Sequence, residues 1–141
     1  MFDNTTIRQT LQVSSAAQEI RIRLSNAFGT NDLTVTKATI GLPATQDVGT
    51  SALKKASLKV LSFDGSPNVV IPNGALAVSD PIQFPVKAES ALMISIYLKN
   101  GQQGFRITGH PGSRTTSYLA FGDWVGAQNI TDSSVQSTDH W

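Results

Sequence analysis

Between positions 92 and 98 every second residue is a branched aliphatic: Leu92, Ile94, Ile96 and Leu98 alternate with Met93, Ser95, Tyr97 and Lys99. A period of two sends successive side chains to opposite faces, which is the signature of a strand buried on one side. Ile20, Ile22 and Leu24 alternate in the same way with Arg21, Arg23 and Ser25, and Ile82, Phe84 and Val86 with Gln83, Pro85 and Lys87. Further strands are expected at 10–13, 33–42, 58–63, 69–71, 105–108 and 118–121. Within 33–42 the apolar parity changes from Leu33 and Val35 to Ala38, Ile40 and Leu42, a slip expected of a β-bulge. Turn residues separate the runs: Asn26 to Gly29, Asp64-Gly65-Ser66-Pro67, Pro72-Asn73-Gly74, Asp80-Pro81, Asn100-Gly101 and Pro111-Gly112. Asn100-Gly101 is the expected tight hairpin, since both residues tolerate positive φ. A short helix or a loop is expected at 44–56. Strands at short spacing with such turns predict one all-β domain over 1–141, an antiparallel β-sandwich of jelly-roll or related type with about eight or nine strands.

The 141 residues are 40% apolar and only 15% charged, a balance that suits Thr- and Ser-rich pleated surfaces better than the charged faces of a helical bundle. Eleven basic residues stand against ten acidic ones, and they are scattered, so neither nucleic acid nor a membrane surface is an expected partner. Without cysteine there are no disulfides, thiolate nucleophiles or cysteine metal sites. Two N-x-[ST] sequons, at Asn4 and Asn129, mark candidate glycan acceptors or chance matches in a Thr-rich chain. The first twenty residues include Asp3, Arg8, Gln9 and Glu19 and no apolar h-region, so the chain is expected to be a mature or truncated form. Trp141 is an apolar group that wants burial, either tucked back onto the domain or in a strand that continues beyond it.

Chemistry-bearing residues are few. His110 and His140 are the candidate proton-shuttling bases, and His110 sits in a loop with Ser113 too close in sequence to be its nucleophile. Asp132, Asp139 and His140 lie in a polar tail without the spacing of a metal site, and no metal or cofactor is expected. The densest constellation is Arg106, His110, Arg114, Tyr118, Asp123 and Trp124, within nineteen positions. Together with Asn26 these are the candidate ligand-binding residues, an aromatic platform flanked by polar groups suited to a sugar ring and its hydroxyls. In the competing reading, Tyr118 and Phe121 are core, Trp124 caps a sheet edge and Asp123 starts a turn. Arg21 and Arg23 share a strand face, open either to an acidic partner or to solvent.

Several blocks resemble the N-terminal β-rich domain of secreted fungal SGNH (GDSL-type) hydrolases. They are Thr6-Ile7-Arg8-Gln9-Thr10-Leu11, Ile20 to Gly29, Ile71-Pro72-Asn73-Gly74, Val78-Ser79-Asp80-Pro81-Ile82 and His110 to Ser117, in that family's order. The resemblance implies a secreted, extracellular protein whose full-length parent is an ester hydrolase. The family's Gly-Asp-Ser and Asp-x-x-His blocks are missing from the chain, so no catalytic residue is carried over. Gly29-Thr30-Asn31-Asp32 matches the family's Gly-x-Asn-Asp block, but with no nucleophile to serve it is read as coincidence. Two functions follow as expectations. One is a non-catalytic module that binds carbohydrate or supports a missing catalytic domain. The other is a free-standing, lectin-like protein that gains avidity as a homodimer. A structural domain without a ligand is a weaker third.

Overall fold

The structure, a computed structural model, describes residues 1–131 and 134–140. The expectations for Asp132 and Trp141 lie outside those residues. The described chain forms twelve strands: β1 (Asp3–Val13), β2 (Ala17–Ile20), β3 (Arg23–Ser25), β4 (Leu33–Val35), β5 (Lys37–Gly41), β6 (Lys59–Val60), β7 (Val69–Ile71), β8 (Leu76–Val78), β9 (Ile82–Val86), β10 (Ser90–Asn100), β11 (Ser117–Phe121) and β12 (Ser134–Ser137). All named pairings are antiparallel. One sheet has six strands in the order β12-β11-β1-β10-β5-β6, and the pairs β2–β9, β3–β8 and β4–β7 make three short ribbons.

The long strands β1 and β10 pair from Asp3 opposite Asn100 to Val13 opposite Ser90 and form the spine of the sheet. One sheet face carries Ile7, Ala38, Ile40, Leu92, Ile94 and Leu98, which pack with Ile22, Val35, Ile71, Phe84 and Val86 of the ribbon segments in the main core. Each Ile, Leu, Val or Phe side chain among them is worth about 1.5–3 kcal/mol on full burial. The opposite face carries Thr6, Arg8, Thr10, Thr39, Ser95 and Tyr118, all buried. It is roofed by the connections between β5 and β6 and between β11 and β12, whose backbone bonds to Thr6, Arg8, Thr10 and Thr39.

The strand count exceeds the expected eight or nine because two runs break and two strands carry no clear alternation. The parity change in 33–42 marks a corner rather than a bulge: Thr36 N–H donates to Tyr97 O at 2.9 Å, and the chain passes from the β4–β7 ribbon into β5 of the large sheet. The 20–25 run breaks at Ile22, whose N–H donates to Ser79 Oγ at 2.9 Å while Ser79 N–H donates to Ile22 O at 2.8 Å. Pro85 is tolerated in β9 because that strand pairs on one side only, with β2. β8 and the Ser- and Gln-bearing β12 were not expected. The 105–108 segment is loop, and Asn100-Gly101 opens a long connection rather than a hairpin. Gly101, at φ 61°, has no room for a Cβ, which would stand 2.5 Å from Met1 O. In 44–56 the helical content is one 3-10 turn at Lys55–Ser57.

Asp64-Gly65 forms a tight two-residue turn. Both residues have positive φ, 52° and 77°, and Phe63 and Ser66 exchange two backbone hydrogen bonds. The Asp80 carboxylate caps it, accepting from Ser62 Oγ at 2.6 Å, Gly65 N–H at 2.9 Å and Asp64 N–H at 3.0 Å. The Ser62 bond foremost, then the Gly65 and Asp64 amides and nearby Arg21, hold its pKa below the ordinary 3.8. A depressed carboxyl stabilises the fold above its unfolded pKa and loses that contribution as pH falls through the folded value. Asp80→Asn is therefore expected to lower the melting temperature at pH 7, with the gap to the parent closing as pH drops below 3.8. A gap that stays constant from pH 7 into acid would exclude the ionised cap as its cause.

Candidate functional site

The structure disperses the seven sequence-selected residues and keeps only Asp123 and Trp124 in one cleft. Asn26 is corrected to an interior role. It is fully buried, and its Nδ2 donates to Asn31 O at 2.8 Å, Ile71 O at 3.0 Å and Pro72 O at 3.3 Å. It clamps the β3–β4 turn so closely that a Cβ on Gly29 would stand 1.9 Å from its Oδ1. Tyr118 is likewise corrected to the interior: it is buried with Ala120 and Ile130, and its hydroxyl donates to Gly49 O at 3.0 Å.

Arg106 is exposed in a loop beside Phe105, itself 99% exposed, and with Phe28 lines a separate surface hollow. Arg114 is exposed in a turn with φ 61°. His110 is exposed and pairs through its backbone with His140: His110 N–H donates to His140 O at 2.7 Å, and His140 N–H donates to His110 O at 3.3 Å. Burial, and then the charge of His110, lower the His140 pKa, so its imidazole is neutral near pH 7. Ser113 Oγ donates to the carbonyls of Thr138 and Thr115. Among the described residues no three His, Cys, Asp or Glu side chains gather where they would hold a metal ion. Of the two sequons, Asn4 is half-buried in β1 and accepts from the Tyr97 hydroxyl, whereas Asn129 is exposed in a loop where its Oδ1 accepts from Thr131 N–H.

The cleft around Trp124 has a volume of about 400 Å³, within the range of ligand pockets. Its walls include Lys37 and Thr39 of β5, Leu58, Val60 and Pro67 on one side, and the 123–127 segment on the other. Three layers of hydrogen bonds position that segment. Gly122 N–H donates to Asn4 O, Thr6 Oγ1 donates to Gly122 O, and Trp124 N–H donates to Thr6 Oγ1 at 2.8 Å. Thr39 Oγ1 donates to Val125 O at 3.0 Å. Beneath them Arg8, 0% exposed, donates to the carbonyls of Ser51 at 2.9 Å, Trp124 at 3.1 Å and Ala127 at 2.8 Å and to Ser95 Oγ at 2.8 Å. Burial lowers the Arg8 pKa to about 10, which leaves the guanidinium charged at neutral pH.

Trp124 retains 39% exposure and its Nε1 donates to Phe121 O at 2.7 Å, so the ring is held in one orientation. The bend that admits it turns on Gly122, at φ 104°, where a Cβ would stand 3.1 Å from Nε1. Lys37 Nζ and Asp123 Oδ2 form an ion pair at 2.5 Å on the cleft wall. The cleft thus offers a fixed aromatic face, an apolar floor and one charged pair able to donate and accept.

Sequence reasoning missed Thr6, Arg8 and Lys37. Arg8 alternates with the core residue Ile7, so periodicity assigns it to an outer face, and nothing local signals that distant loops cover that face. Lys37 meets Asp123 across 86 positions, a pairing that only the sheet order creates. No protein-family model matches the chain, and no curated protein matches it.

Proposed function

We propose that the chain is a secreted, non-catalytic carbohydrate-binding module, a β-sandwich of jelly-roll type akin to the N-terminal domain of SGNH hydrolases, and that sugar enters the Trp124 cleft. The observation that carries this reading is the half-exposed, orientation-locked indole beside the Lys37–Asp123 pair. An aromatic ring packs on the apolar face of a pyranose, and the ammonium and carboxylate engage its hydroxyls as donor and acceptor. Because the indole is already fixed, little of its freedom is lost on binding.

The test is a calorimetric titration with a panel of neutral oligosaccharides, with tryptophan fluorescence followed in parallel. Trp124→Ala is expected to weaken binding by about tenfold, the scale of one lost aromatic contact. Asp123→Asn should weaken it too while leaving stability nearly unchanged, since an exposed ion pair contributes about 0–1 kcal/mol. Absence of binding across the panel, or equal affinity in Trp124→Ala, would remove the sugar reading.

A second reading, support for a catalytic partner domain, is favoured by the exposed pair Phe28 and Phe105 beside Arg106. Exposed aromatics and arginine are the residue types enriched where proteins dock. A free-standing lectin would instead sediment as a dimer and bind multivalent glycans more tightly than single ones.

A further inference from the structure

We propose that a second pocket, which shares no lining residue with the Trp124 cleft, binds an amphiphilic carboxylate, with the anionic head between Lys54 and Lys87 and the apolar body on the floor beneath. The pocket lies between the segment that follows β5 and the β9–β10 connection, and its volume is about 540 Å³. Leu42, Pro43, Leu53, Val86 and Ala91 supply the apolar lining, and Lys54, Lys55 and Lys87 the charge. Half of the six lysines of the chain thus converge on one hollow. Among the described residues no acid lines it: Asp47 and Glu89, close in sequence, are not among its walls.

The walls are preorganised. Ala44 N–H donates to Ala52 O at 2.8 Å, Lys54 N–H to Leu42 O at 2.9 Å and Leu53 N–H to Gln128 O at 2.7 Å, which bind the two limbs of the 42–54 segment together and to the 128 loop. Leu53 is buried hard against β5, where a Cβ on Gly41 would stand 2.3 Å from its Cδ1. On the other wall Ser90 Oγ donates to Lys87 O at 2.6 Å across a turn that places Glu89 at φ 58°.

The two chemistries of the pocket select the ligand. A small hydrated anion leaves the apolar floor wet, and a neutral hydrocarbon strips water from lysines that have nothing to pair with. Lys55 already donates to Gly126 O. Lys54 and Lys87 are exposed, and among the described residues neither forms an ion pair with a carboxylate. An anion with an apolar tail satisfies both surfaces.

The experiment is an amide-shift titration of the full chain with decanoate, kept below its aggregation concentration, beside decan-1-ol and inorganic phosphate. The expected result is that decanoate shifts the amides of Leu53, Val86 and Ala91, that decan-1-ol binds at least about tenfold more weakly, and that phosphate leaves those amides unmoved. The double variant Lys54→Gln, Lys87→Gln should bind decanoate no better than the alcohol, and Trp124→Ala should bind it as the parent does. Both lysines are exposed, so the double variant should keep the parent's circular dichroism. Equal binding of acid and alcohol, undiminished decanoate binding in the double variant, or no shift with decanoate overturns the proposal. None of these outcomes bears on the sugar cleft.

Discussion

Arg8→Ala should cost about 3–5 kcal/mol of folding free energy, the scale of breaking a buried hydrogen-bond network and leaving a cavity in its place. The guanidinium lies buried between β1 and the roof, and it donates to four backbone carbonyls and one hydroxyl from parts of the chain 43 to 119 positions away. Truncation leaves those acceptors unpaired in a site closed to solvent and opens a void where the side chain was. Arg8→Lys keeps the charge but gathers its three donors on one compact nitrogen in place of a planar five-donor fork, so an intermediate loss of about 2 kcal/mol is expected. Urea unfolding followed by far-ultraviolet circular dichroism measures both. A loss below about 1 kcal/mol for Arg8→Ala would mean that the roof reorganises or that water replaces the guanidinium. Because Arg8 holds the Trp124 and Ala127 carbonyls, it is a positioning residue for the cleft. Arg8→Lys should therefore also weaken sugar binding at a temperature where the variant is still folded.

Asn26→Asp is the second large effect, and its dependence on pH identifies its cause. The change is nearly isosteric, yet it turns an Nδ2 donor facing the carbonyls of Asn31, Ile71 and Pro72 into an acceptor. At pH 7 the new carboxylate is buried against carbonyl oxygens, and a loss of about 3–5 kcal/mol is expected. Protonation restores one donor, so the introduced carboxyl has a folded pKa above its unfolded value of about 3.9. Its contribution is then most favourable below that value and worsens as pH rises through the folded pKa. Stability relative to the parent should fall from acid toward neutrality. Asn26→Ala, which removes the donor and adds no charge, should lose about 1–3 kcal/mol with no such slope. Chemical denaturation at several pH values separates the two. A pH-independent deficit for Asn26→Asp would show that the turn had opened and rehydrated the site.

The contrast between Asn26 and Trp124 shows how the candidate site divided. Both are polar or amphipathic residues next to turn glycines, Gly29 and Gly122, and neither neighbourhood reveals which side faces water. Trp124 stayed at a surface because the 123–127 segment lies on top of the sheet, and Asn26 went inside because β3 and β4 bring the 72–75 turn over it. Arg106 and His110, four positions apart, ended in different hollows because the loop between β10 and β11 runs across the molecule rather than doubling back.

What the chain determines by itself is local: the period-two runs of β9 and β10, the turn at Asp64-Gly65, and the buried face through Leu92, Ile94 and Leu98. Each rests on side-chain alternation or on backbone φ preferences, which act within a few residues. What only the tertiary structure decided is whether the second face of the sheet meets water. Thr6, Arg8, Thr10, Thr39 and Ser95 have the composition of a solvent face, and they are buried because roof segments tens of positions away supply backbone carbonyls and an amide that replace water. Polar residues pair equally well with water or with a distant backbone, and that ambiguity is resolved only by the order in which the strands are laid side by side.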